Sequence, residues 1–133
     1  NMLCIFIDLF HRINNVIVST NGRNEIYFDV EWEGDENLDY FELRILESGV
    51  DNNLEVYAYP MHNQRVVVKD YYFLKDWKSG EENSESFVVE LGIAQYTDEG
   101  KQLSWDVLAA YEPINIVLYY EPHIFRRNKL EIR

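Results

Sequence analysis

Ile26, Phe28, Val30 and Trp32 alternate with Tyr27, Asp29, Glu31 and Glu33. Successive side chains of an extended chain point to opposite faces, so this period of two marks a half-buried strand. A helix would scatter the same residues around its circumference. The segment therefore demands a sheet with one face packed and one face in water, as antiparallel sheets commonly have. Just upstream stands Asn21-Gly22, between the β-branched runs Val16-Ile17-Val18 and Ile26 to Val30. Asn and Gly tolerate the positive φ of a type I′ turn, so a two-residue hairpin is expected. It would pair Thr20 with Arg23 and Ile17 with Ile26.

Further strands are expected along the chain. Phe41, Leu43 and Ile45 share one side of 40–47, and Phe87, Val89, Leu91 and Ile93 one side of 86–96. Segments 54–59 and 65–73 flank Pro60-Met61-His62-Asn63-Gln64 and read as a second hairpin. Ile114 to Tyr120 is apolar on both sides, which predicts a strand that is central in its sheet or covered on both faces. Residues 78–85 and 97–100 read as polar loops. Two segments carry helical spacing instead. Leu3, Phe6, Ile7, Phe10, Ile13 and Asn14 fit one helix face, although Leu3, Ile5, Ile7 and Leu9 also fit a strand. Leu103, Val107, Leu108, Ala110 and Tyr111 fit a second short helix.

No repeat or low-complexity linker divides the 133 residues, a length that suits one domain. The expected fold is α+β, mostly β: a single domain over 1–133 with an antiparallel meander of about seven strands. It would close as a sandwich or a curled, open barrel, with one or two short helices, the first candidate being N-terminal.

Charge narrows the function. The chain has 24 Asp and Glu against 12 Lys and Arg, a net charge of -12. Nucleic-acid binding needs clustered Lys and Arg against phosphate, and anionic membranes need the same, so neither partner is expected. The run Met2–Ile7 is too short to span a membrane, and Asp8 interrupts it as a signal peptide. Asn1 ahead of Met2 suggests that Met2 is the natural start. The lone Cys4 cannot form an intrachain disulfide, which fits a reducing, cytoplasmic setting, and its apolar surroundings fit a buried thiol.

Chemistry finds little footing. His11, His62 and His123 lie far apart in different elements and share no zinc spacing. Asp35-Glu36-Asn37-Leu38-Asp39 resembles the start of a calcium loop, but Tyr40 and Leu46 stand where Gly and the bidentate Glu are needed. No nucleophile elbow or phosphate loop exists. We therefore expect no catalytic residues, no metal and no cofactor, and a protein that is not an enzyme.

The acids are clustered. Glu25, Asp29, Glu31, Glu33, Asp35, Glu36, Asp39 and Glu42 follow one another with no base between them. Arg126, Arg127, Lys129 and Arg133 form a basic C-terminal segment, and without 126–133 the chain has 8 bases against 23 acids, or -15. Like charges side by side on a sheet repel, a cost that a basic partner would relieve. Tyr27 adds a ring suited to anchor a contact. The expected partner-binding surface is thus Tyr27, Asp29, Glu31, Glu33, Asp35, Glu36, Asp39 and Glu42. In size, charge and lack of motifs the chain is similar to bacterial toxin-immunity proteins and nuclease inhibitors, small acidic proteins that hold a basic partner. A binding module that neutralises a basic toxin by covering its active surface is the leading expectation. A ligand-binding or enzymatic barrel and an assembly subunit are the alternatives.

Overall fold

The computed structural model describes residues 11–22, 24–34, 41–50, 52–58, 60–71, 78 and 80–119. Seven strands account for all regular elements among them: β1 (Arg12–Thr20), β2 (Glu25–Glu33), β3 (Phe41–Glu47), β4 (Asn53–Ala58), β5 (Asn63–Lys69), β6 (Glu82–Tyr96) and β7 (Gln102–Tyr119). All pairings are antiparallel, in two sheets of order β1-β2-β5 and β4-β3-β6-β7. β1 also lies against β7, and β4 against β5, so the sheets face each other and their edges adjoin.

The expected meander is not what forms. The chain leaves β2 in one sheet and enters β3 in the other, returns for β5, and crosses again for β6. β4 and β5 therefore belong to different sheets: Asn63 and Gln64 of the expected loop are already strand in β5, and what precedes them is a crossing, not the turn of a second hairpin. A core between two sheets needs at least one such exchange, and this chain makes three.

That core is continuous. Ile26, Phe28, Val30 and Trp32 of β2 are all buried, as are Phe41, Leu43 and Ile45 of β3 and Phe87, Val89 and Leu91 of β6. Aromatic rings join the sheets: Phe28 meets Phe87 edge-on at 5.1 Å, and Trp32 meets Phe41 edge-on at 5.5 Å. Such geometry sets the positive ring edge of one against the negative face of the other. The Trp32 indole N–H donates to the Met61 carbonyl at 2.5 Å, so its one polar atom is satisfied.

The first hairpin forms in a different register. Thr20 faces Ile26, Val18 faces Phe28 and Ile17 faces Asp29. The Asn21 side chain explains the change. Its Oδ1 accepts from the N–H groups of Asn24 and Glu25, both at 3.1 Å, which stabilises a longer loop than the two-residue turn. Gly22 still takes positive φ, at 76°. The three-residue shift is odd, so it exchanges the faces of β1. Ile17, expected inside, is 57% exposed, while Val16 packs in the core. A bulge at Asn14 then lets Ile13 and Val16 both point inward.

Among the described residues only Tyr71 has helical backbone, and every complete element is a strand. Residues 103–111, expected as a helix, are strand within β7. The β6–β7 ladder slips at three places, next to Val88, Leu108 and Leu103. Each slip leaves an extra residue in one strand, and these insertions turn a spacing of two into one that imitates a helix. Of the N-terminal helix signal, residues 12–14 are strand and 1–10 lie outside the described residues. β6 begins at Glu82, so part of the expected 78–85 loop is also strand. Ile114 and Leu118 are buried but Val117 is 62% exposed, so this end of β7 is packed on one face only, and β7 is the last strand of its sheet and not a central one.

Ring burial and register can be tested together by urea unfolding. Phe87→Ala should cost about 3–5 kcal/mol, whereas Ile17→Ala should stay within about 0.5 kcal/mol.

Candidate functional site: the outward face of β2

Strand alternation turns Tyr27, Asp29, Glu31 and Glu33 away from the core, as their sequence pattern requires. Register then decides what each one faces. Tyr27 lies between Ser19 and Val67, Asp29 between Ile17 and Arg65, and Glu31 between Asn15 and Asn63, while Glu33 faces Arg12.

The acids are relieved in a way that sequence reasoning missed. Arg65 of β5 grips Asp29 with both arms, Nε to Oδ1 at 2.8 Å and an Nη to Oδ2 at 3.0 Å. The same guanidinium lies 5.2 Å from the centre of the Tyr27 ring. Arg12 of β1 donates to Glu33 at 2.7 Å. The hydrogen bond from Arg65 holds the Asp29 carboxyl below its ordinary range, and that from Arg12 does the same for Glu33. Arg65 is in turn held more firmly charged by Asp29. The unrelieved acidic strand expected from sequence is therefore a strand of alternate cross-strand ion pairs.

Glu31 is the exception. Its side chain and those of Asn15 and Asn63 have no hydrogen-bond or ionic partner among the described residues, and the three line a shallow open depression with Ile17, Gln64 and the Asp29–Arg65 pair.

Glu42 does not belong to this face. It sits on β3 in the other sheet, 5% exposed, and its Oε1 accepts from Nε and an Nη of Arg44. Tyr96 donates its hydroxyl to the other carboxylate oxygen, which raises the tyrosine pKa. Arg44 also donates to Gln102 at 2.6 Å and stacks over the Trp105 ring at 3.7 Å. The indole N–H of Trp105 donates to Glu90 at 3.0 Å. Trp105 reaches this position by lying across Gly92, where a Cβ would come within 2.6 Å of the ring. This cluster is a closed polar network on the outer side of the second sheet. Its sequence signal was Glu42 and Arg44 two apart on one strand, which places them on the same face.

Asp35, Glu36 and Asp39 lie outside the described residues, as do His123, Cys4 and the basic segment 126–133. His11 and His62 flank the Trp32–Phe41 pair: His62 meets Trp32 at 4.6 Å and His11 meets Phe41 at 5.7 Å. Among the described residues no three His, Cys, Asp or Glu converge in a metal-binding group. No helix of the described residues is long and apolar enough to cross a membrane.

No protein-family model, curated protein or solved structure matches the chain.

Two substitutions test these assignments. Arg65→Gln should let the Asp29 titration rise toward 3.8, read by carboxyl NMR. A lowered folded pKa contributes stability above the unfolded pKa, and that contribution is lost as pH falls through the folded value. The variant should therefore lose less stability than the parent below pH 3.8. Arg44→Met should cost about 3–5 kcal/mol in urea unfolding by leaving Glu42 buried and unpaired, and adding Glu42→Leu should recover much of that.

Proposed function

We propose that this protein is a binding module for a basic protein, acting as an inhibitor of the immunity type. It neutralises a basic toxin, such as a nuclease, by covering the Lys and Arg that grip phosphate or substrate. It works without catalysis and in the cytoplasm. The observation that carries the reading is the outward face of β2, where a tyrosine and three carboxylates project in line from a rigid central strand. A site on a strand paired on both sides is held in place at no further ordering cost.

Long-range attraction would come from the chain as a whole, at -12, which raises encounter rates with a cation-rich surface. The rival reading, a ligand-binding barrel, has less support. The aromatics that would line its cavity, Phe28, Trp32, Phe41 and Phe87, instead pack on one another.

Co-purification with the product of the neighbouring gene, followed by calorimetry at increasing salt, tests the proposal. Binding should weaken strongly with ionic strength. The double variant Asp29→Asn, Glu31→Gln should slow association by about tenfold or more. Absence of binding, or binding indifferent to salt, would overturn the reading.

A further inference from the structure

The depression beside Glu31 has a chemistry of its own. Its neighbours along β2 each hold an arginine: Asp29 takes Arg65 and Glu33 takes Arg12. Glu31 occupies the same face between them, opposite two asparagines and no base. Asn15, Ile17, Glu31, Asn63 and Gln64 line one open pocket together with the Asp29–Arg65 ion pair, so Arg65 is already neutralised there and Glu31 is the lining acid without an ionic partner among the described residues.

We infer that this pocket takes one arginine side chain of the partner, its guanidinium on Glu31 between Asn15 and Asn63 and its aliphatic stem along Ile17. The inference rests on the proposal of a basic partner and names the group by which that partner is held. A guanidinium presents five N–H donors in a flat fork and no acceptor, so it can grip the Glu31 carboxylate with two arms and still reach the oxygen of a neighbouring side-chain amide. The stem of such a side chain readily covers an apolar neighbour. Arg65, at the edge of the same pocket, displays this chemistry, gripping the Asp29 carboxylate with both arms beside an aromatic ring. Lysine, a compact charge with three donors, cannot make that flat two-armed contact with a carboxylate.

The test uses the full chain, labelled with nitrogen-15, and the blocked peptide acetyl-Arg-Arg-Arg-amide. Titration should move the Asn15 and Asn63 side-chain amide signals and the Glu31 backbone signal together, to saturation with one Kd. Glu31→Gln should weaken that Kd about three- to fivefold, the scale of one exposed ion pair. Glu112→Gln, an exposed acid on β7, should leave it unchanged. The trilysine peptide should bind more weakly than triarginine. Shifts spread over the acidic surface without saturation at Asn15 and Asn63, or a Kd indifferent to Glu31→Gln, would overturn the inference. Equal affinity for trilysine would overturn the choice of arginine. A salt-sensitive basic partner whose affinity ignores Glu31→Gln would sink the pocket and leave the binding-module reading standing. Saturation of the pocket by peptide, with no basic protein co-purifying, would do the reverse.

Discussion

The edge-on contact of Phe28 with Phe87 ties one sheet to the other, and the remaining architecture follows from keeping it dry. Phe28 lies mid-strand in β2, so burying it buries Ile26, Val30 and Trp32 by the same alternation. That leaves Tyr27, Asp29, Glu31 and Glu33 no choice but to face outward. Core and candidate site are thus two sides of one strand. A slip of one residue in β2 would turn Glu25, Asp29, Glu31 and Glu33 toward the core, which makes this register hard to exchange for another.

The parts of the fold legible in the sequence are those where period two is unbroken. β2 and the inward residues of β3 and β6 keep it, and all take the expected face. The parts that misled are those where one extra residue is inserted. Asn14 resets β1, and slips next to Leu103 and Leu108 give β7 a helix-like spacing. The two-residue turn was a sound inference from Asn21-Gly22. It failed because Asn21 commits its side chain to two backbone N–H groups rather than its backbone to positive φ. Propensity described the residue, and hydrogen bonding decided the turn.

The site was half legible for a related reason. Which residues face outward is a property of one strand, and the sequence carries it. Which residues stand opposite is a property of pairing between strands far apart in the chain. Asp29 and Arg65 are 36 residues apart, and nothing local announces their bidentate contact. Glu42 shows the opposite error. Counting it with a run of acids ignored Arg44 two positions on, although that spacing alone puts the two on one face of β3.

These two ways of holding an acid have different consequences. The Glu42–Arg44 pair is buried, roofed by Trp105 and closed by Tyr96 and Gln102, so its partners are spent inside the protein. The pairs on β2 are in water, where an ion pair contributes little to folding and exchanges readily with other partners. Of Asp29, Glu31 and Glu33, set against Arg65 and Arg12, Glu31 is the one without an ionic partner among the described residues. Bulk negative charge can therefore bring a basic partner near, but it cannot choose the point of contact. That choice falls to Glu31, the acid for which the neighbouring strands provide amides instead of a base.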